Sequence, residues 1–162
     1  MLIKELTSNY YQTGKVTWIG IRMLRKEPLI AVDRISIKMG IGLEGDHYTS
    51  ENGKRQVTLI QKEHIDAVCS FLNRKELHPS LLRRNIVVSG VNLYALKGKN
   101  FKIGNATLTY TGECHPCSRM EKDLGRGGYN ALRGHGGITA SVLEGGEIKL
   151  GDAVKALSTH EY

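Results

Sequence analysis

Residues 109–125 (TYTGECHPCSRMEKDLG) contain the side chains best suited to chemistry. Cys114 and Cys117 bracket a His-Pro pair, after a segment typical of a strand and before one typical of a short helix. The proline suits the first helical turn, where its missing N–H costs nothing. We therefore expect Cys117 near a helix N-terminus, where unpaired N–H groups, the positive end of the helix dipole and the nearby Arg119 all favour a thiolate.

An activated sulfur of this kind has three plausible uses. A structural zinc site needs four ligands, usually as two close pairs, but this chain has one CxxC pair and no second CxxC or HxxxH partner. A thioredoxin-like dithiol normally lies early in its fold with a proline downstream, whereas here the pair is late and no proline follows Pro116. The third use is a single soft thiolate on a transition metal that is held mainly by an organic cofactor. The CxxC pair by itself leaves all three open.

The elements that would position this segment are mostly strands. Near-alternating β-branched residues predict strands over residues 15–24, 29–38, 55–61, 85–89, 101–110, 147–150 and 153–157, the last two joined by a tight turn at Gly151-Asp152. One helix is predicted over residues 62–75, with Cys69 buried and inert on its apolar side, and a short helix after Cys117. Many short strands and 19 glycines favour a barrel or a sandwich.

Length and composition indicate one globular domain over residues 1–162. There is no apolar run long enough for a bilayer and no export signal, and three cysteines are too few for a disulfide scaffold, so we expect a cytoplasmic protein with no membrane partner. The net charge is +7, and residues 77–112 contain five cations and no carboxylate. Such a stretch attracts nucleic acid, an acidic protein or a phosphate-bearing small molecule, unless it is simply a solvated basic face.

Six short motifs occur in an order that points to a family. They are residues 42–47 (GLEGDH), 55–59 (RQVTL), 84–88 (RNIVV), 112–117 (GECHPC), 133–138 (RGHGGI) and 146–152 (GEIKLGD). Together they resemble the MOSC family, named for the C-terminal domain of molybdenum cofactor sulfurases, over roughly residues 30–154. The resemblance implies a mainly β, MOSC-type barrel with a few short helices.

The resemblance also implies a molybdopterin-type molybdenum cofactor and a single cysteine that ligates the metal or carries sulfur. In the family pattern this cysteine directly follows the proline, which makes it Cys117. Cys114 is then a redox partner or merely a neighbour, and we favour the neighbour. The pyridoxal-phosphate domain of the sulfurases and the N-terminal region of the amidoxime-reducing members have no counterpart in this chain, which most resembles small bacterial members.

A cofactor with a phosphate and a polar ring needs cations and hydrogen-bond donors around it. We expect Arg84 to grip the phosphate bidentately and Asn85 to pair with the pterin edge, with a surface arginine beside a turn-capping asparagine as the alternative. Arg55, directly after the polar loop of residues 49–54, would meet a ligand at a barrel mouth or be a plain strand-edge arginine. Asp46 is interpreted first as a loop-bracing carboxylate and second as a cofactor contact.

The glycine-rich loop of residues 133–137 is flexible enough to bring backbone N–H groups close to an anion. Within it, His135 would donate to the pterin, the phosphate or an oxo ligand, and the alternative is an ordinary surface histidine.

The leading functional hypothesis is a molybdenum-dependent oxidoreductase. The resemblance implies reductive removal of oxygen from small N-hydroxylated compounds, with a separate electron-donor protein because the chain has no flavin motif and no iron–sulfur cysteine set. The second hypothesis is a non-catalytic carrier of the cofactor, or of sulfur as a persulfide on Cys117. The third, a nucleic-acid-binding barrel, is disfavoured by an aromatic content of 6% and the absence of an RNA-recognition signature.

Overall fold

The computed structural model describes residues 1–47 and 53–158, and most of its regular structure is β. The strands are β1 (Gly14–Ile21), β2 (Ile30–Ala31), β3 (Arg34–Lys38), β4 (Gly42–Leu43), β5 (Val57–Gln61), β6 (Ile86–Ser89), β7 (Asn100–Ile103), β8 (Ala106–Glu113), β9 (Ile138–Glu144), β10 (Gly146–Lys149) and β11 (Ala153–Ala156). The helices are α1 (Ile3–Leu6), α2 (Lys62–Phe71), α3 (Ser118–Leu124) and α4 (Gly128–Leu132), with 3₁₀ turns at Pro79–Leu82 and Leu93–Leu96.

Seven strands close into a barrel in the order β1-β11-β7-β8-β9-β5-β6 and back to β1. All neighbours are antiparallel except β5 and β6, which are parallel. Parallel neighbours need a crossover connection, and α2 lies within it. The short β2 extends the sheet beside the end of β1, while β10, β3 and β4 form a separate three-stranded sheet.

Strand β5 separates two apolar clusters and is buried at every position. Val57 and Leu59 point into the barrel, whereas Ile60 faces an outer cluster that includes Ile65 and Val68 of α2. A strand covered on both faces has no simple alternation of buried and exposed residues, and in β5 the polar Thr58 and Gln61 are buried with the apolar residues. The burial of Cys69 in the outer cluster confirms the prediction for that thiol.

The predicted barrel with few helices is confirmed, but several element boundaries differ. The first strand ends at Ile21 and not at residue 24, because the N–H of Arg22 donates to the Asp46 carboxylate. The segment 29–38 is divided between β2 and β3, which belong to different sheets. The helix α2 ends at Phe71, just before Asn73 adopts a left-handed φ of 53°.

Two further differences concern the later strands. The predicted strand over residues 101–110 is the hairpin β7–β8, which reverses at Gly104 with φ 55°. Strand β9 was not predicted, although it pairs with both β5 and β8. The turn before β11 is present, with Asp152 N–H bonded to the Lys149 carbonyl, but β10 and β11 join different sheets and do not pair with each other.

Within the described part of the chain, no helix combines the length and the apolar character needed to cross a bilayer.

The buried position of Leu59 predicts a large stability cost on truncation. Leu59 is fully buried in the barrel interior, so Leu59→Ala should lower the free energy of unfolding by about 2–5 kcal/mol in urea denaturation. The matched control Leu150→Ala, at a leucine that is 44% exposed, should change it by less than about 1 kcal/mol. Equal costs at the two positions would contradict the assignment of the core.

Candidate functional site

A cavity of about 150 Å³ opens where three strand ends meet. The C-terminal end of β1 and the N-terminal ends of β5 and β6 lie at the same end of the barrel, because β1 is antiparallel to β6 and β5 is parallel to it. The described residues that line the cavity include three arginines: Arg22, Leu29, Asp46, His47, Arg55, Thr58, Arg83 and Asn85. We call it the arginine cavity.

Asn85 fixes the wall of the arginine cavity by tying three strands together. Its side-chain oxygen accepts hydrogen bonds from the Thr58 N–H at 3.2 Å and from the Thr58 hydroxyl at 3.0 Å. Its amide nitrogen donates to the Gly20 carbonyl in β1 at 3.2 Å. All of this is buried, so the bonds cannot be replaced by water without cost. Asn85 therefore holds β1, β5 and β6 in register at the cavity.

Asp46 braces the loop that follows β4. Its carboxylate oxygen accepts the backbone N–H of Arg22 at 2.8 Å, and the N–H of His47 donates to the carbonyl of the same arginine. Asp46 is buried and also lines the arginine cavity. The loop-bracing interpretation of Asp46 is consistent with these contacts.

Arg22 lines the arginine cavity and has one buried donor atom without a hydrogen-bond partner among the described residues. Burial lowers the pKa of its guanidinium, Asp46 opposes this, and Arg119 and Arg55 lower the pKa further. Among the described residues, the buried Nε of Arg22 has no hydrogen-bond partner. A buried donor without an acceptor costs free energy, and an anion in the cavity would remove that cost.

The adjacent arginines at the start of β6 point to different places. Arg83 has a left-handed φ of 59° and lines the arginine cavity. Arg84 is buried beneath the glycine-rich loop, where its Nε donates to the Gly136 carbonyl at 2.7 Å and its Nη1 to the Leu82 carbonyl at 2.9 Å. Arg84, which was expected to grip the phosphate, supports the loop through these two bonds, and its contact with a ligand stays a prediction.

The two cysteines of the CxxC segment differ in exposure. Cys117 is exposed and directly precedes α3, as predicted, but Pro116 lies before the helix and not in its first turn. Cys114 is buried, and its N–H donates to the Gly137 carbonyl at 2.8 Å. Neither is in a disulfide. Cys117 lies within electrostatic range of the guanidinium groups of Arg83 and Arg84, and Cys114 lies within range of Arg84.

The glycines of the 133–137 loop are required for close packing. A Cβ on Gly136 would lie 2.2 Å from the Cys114 carbonyl oxygen, and one on Gly137, at φ +90°, would lie 2.0 Å from the Leu59 carbonyl oxygen. The Gly137 N–H donates to the Tyr94 hydroxyl at 3.2 Å. The loop is thus pressed against the barrel and fixes the backbone before the CxxC segment.

His135 lies in a cluster of rings and is not a lining residue of the arginine cavity. Its ring is edge-on to His64 at 4.9 Å and to Phe71 at 5.4 Å, and its Nδ1 is 2.9 Å from the Arg133 carbonyl oxygen. His64 also stacks on Tyr94 at 5.5 Å. His135 thus lies outside the lining of the arginine cavity, although Arg84 bonds the neighbouring Gly136, and its donation to a cofactor stays a prediction.

Arg55 and Arg119 extend the basic surface at the site. Arg55 lines the arginine cavity just before β5, while residues 49–52 of its predicted loop lie outside the described residues. Arg119 is paired with Asp123 at 3.4 Å and acts on the pKa of both Arg22 and Arg83, which places it beside the cavity.

Side chains alone do not offer a complete metal site in the described ranges, where no group of three or more His, Cys, Asp or Glu residues is arranged to hold an ion. A metal at Cys117 would need its other ligands from elsewhere. The cations around the arginine cavity suit an anionic group.

The family model of the MOSC domain matches residues 43–155, and the chain belongs to this family, which is known for binding the molybdenum cofactor. The match includes all of the CxxC segment, the 133–137 loop and every cavity arginine except Arg22.

Three solved structures share the fold at low sequence identity. The YuaD protein of Bacillus subtilis aligns with a TM-score of 0.77 and 19% identity, over 90% of this chain and 96% of that one. YiiM of Escherichia coli gives 0.68 and 17% over 89% and 70%, and YiiM of Geobacillus stearothermophilus gives 0.71 and 14% over 90% and 75%. No curated protein sequence matches significantly.

The hydrogen bonds of Asn85 predict that its loss destabilises the protein. Asn85→Ala removes three bonds and leaves the Thr58 N–H and the Gly20 carbonyl without their side-chain partner, so unfolding in urea should require about 1–3 kcal/mol less. Asn130→Ala is the matched control, because that side chain makes one long contact of 3.5 Å at an exposed position. A cost at Asn85 no greater than at Asn130 would argue against the role of Asn85 in holding β1, β5 and β6 together.

The ring cluster predicts a pH dependence of stability. Burial, and secondarily the charge of His135, lower the pKa of His64 from its ordinary value of 6.5, while Glu63 opposes the change. Below that value the unfolded chain binds a proton at His64 more readily than the folded one, so the stability that neutral His64 provides is lost as pH falls. Between about pH 7.5 and about pH 5.5, the free energy of unfolding should fall more for wild type than for His64→Gln. Parallel curves would rule out this contribution.

Proposed function

We propose that this protein is a molybdenum-cofactor oxidoreductase in which Cys117 ligates the metal and small N-hydroxylated compounds are reduced. The observation that supports this most directly is the arginine cavity, with the buried and unpaired Nε of Arg22, beside an exposed cysteine. Membership of the MOSC family supplies the cofactor class.

The residues at the site fit a cofactor of this kind. A molybdopterin carries a phosphate, and Arg22, Arg55 and Arg83 would supply forked, charge-assisted donors to it. The cavity volume of about 150 Å³ is below the about 300–1,000 Å³ of typical ligand sites, so it would enclose one end of the cofactor. We assign that end to the phosphate, because the cavity is where the cations converge.

The remaining residues would orient the cofactor and the sulfur. Asp46 and Asn85 line the arginine cavity and have groups that can bond the polar edge of a pterin. Arg84 acts indirectly in this proposal, since it holds the Gly136 carbonyl, and through that loop the backbone of Cys114. Arg119 and His135 would adjust the charge around the site and support its walls.

When bound, the cofactor would supply the two-electron redox chemistry. Reduction of an N–OH group consumes two electrons and two protons and releases water. The electrons would come from a separate electron-donor protein. The chain itself would bind the substrate, hold the thiolate of Cys117 at the metal and fix the orientation of both partners.

A second candidate is a non-catalytic carrier with a persulfide on Cys117. The observation that favours it is the contrast between the exposed Cys117 and the buried Cys114, because a carrier sulfur must be reachable by its donor and acceptor. Such a protein would contain cyanide-releasable sulfur and need no molybdenum.

Metal and pterin contents of three proteins test the proposal. Wild type, Cys117→Ser and the matched control Cys114→Ser are expressed in a cofactor-replete host and analysed for molybdenum, pterin and cyanide-releasable sulfur. We expect near-stoichiometric molybdenum in wild type and Cys114→Ser, and loss of the metal in Cys117→Ser because a serine hydroxyl is a poor ligand for it. Folded wild type without metal or pterin would refute the cofactor assignment, and sulfane sulfur that depends on Cys117 would then establish the carrier.

A further inference from the structure

A second recess lies against α3, next to the CxxC segment. Its volume is about 450 Å³, and the described residues that line it are Lys26, Ser118, Arg119, Lys122 and Asp123. Ser118 directly follows Cys117, and Arg119 acts electrostatically on both Arg22 and Arg83 of the arginine cavity. We call this feature the lysine recess; it is adjacent to the proposed metal ligand and separate from the arginine cavity.

The lysine recess has an excess of positive charge. Its one lining carboxylate, Asp123, is paired with Arg119 at 3.4 Å. Glu121, also on α3, is turned toward the backbone, where it accepts the N–H groups of Gly127 and Tyr129. Within residues 1–47 and 53–158, Lys26 and Lys122 have no ion pair. Two lysines are thus left to attract an anion.

The backbone at Lys26 is strained in a way that supports a role for its side chain. Its φ is +70°, a conformation that residues with a Cβ adopt at a cost. Among the described non-glycine residues, only Lys26, Asn73 and Arg83 have positive φ, and Asn73 follows the end of α2. The other two are cations that line the two neighbouring recesses. The strained backbone at Lys26 and at Arg83 thus coincides with a cation that lines a recess.

We infer that the lysine recess binds a carboxylate of the substrate, so that the protein prefers N-hydroxylated compounds that carry an anionic group. This rests on the proposed function. The cofactor phosphate is matched there by Arg22, Arg55 and Arg83, which leaves Lys26 and Lys122 for a second anion. An anion held in the recess lies on the side of Ser118, and therefore beside Cys117.

The experiment compares two substrates that differ in one carboxylate. Reduction of N-hydroxybenzamidine and of its 4-carboxylate is measured with reduced methyl viologen as electron source, for wild type and for K26Q/K122Q. The double variant should raise KM for the carboxylate about three- to tenfold and leave the neutral substrate unchanged, because two partly screened charges are lost. The matched control is K102Q/K155Q, at two exposed lysines on the adjacent strands β7 and β11, which should change neither.

A second readout separates this inference from the proposed function. Benzoate binding to cofactor-free protein is followed by NMR; binding to wild type that is lost in K26Q/K122Q supports the recess even if molybdenum is never found. Equal effects of K26Q/K122Q on both substrates would overturn the inference. So would loss of molybdenum from this variant, because the recess would then bind the cofactor and not the substrate.

Discussion

The amide of Asn85 is the interaction on which the site depends. It joins the end of β1 to the starts of β5 and β6, and these are the strand ends that carry the cavity arginines. The positive charges of these arginines repel one another, so a rigid frame is needed to keep the arginines together in the absence of an anion. The neutral amide, with its three hydrogen bonds, provides this frame without adding to the charge.

A second constraint is the tight packing of the glycine-rich loop against the backbone of Cys114 and of Leu59 in β5. Gly136 and Gly137 leave no room for a Cβ, and Arg84 holds the loop from beneath. The barrel thus fixes Cys114 firmly and exposes Cys117 three residues later. One sulfur is buried and the other is at the surface because the backbone leaves the barrel between them.

The sequence indicated the local features of the site better than its long-range ones. The short helix after Cys117 was predicted correctly, because helix formation depends on neighbouring residues, although Pro116 lies before its first turn. Arg22 and Arg83 were not identified as ligand-facing, since their convergence requires the pairing of β1 with β6 and a left-handed backbone at Arg83. Strand β9 was missed because its pattern begins immediately after a glycine-rich loop. The hydrogen bonds of Asn85 could not be predicted, because its partners lie 27 and 65 residues away in the sequence.

Closure of the barrel has a consequence for how the chain folds. Gly14 of β1 pairs with Val154 of β11, so the last seam joins residues that are far apart in sequence. The loop entropy of such a contact is lost before its pairing is gained, and folds with many of these contacts have high contact order and fold slowly. The parallel pair β5–β6, by contrast, is linked through a single helical crossover and can assemble early. The ends of the strands that surround the arginine cavity would then come together before the barrel is sealed.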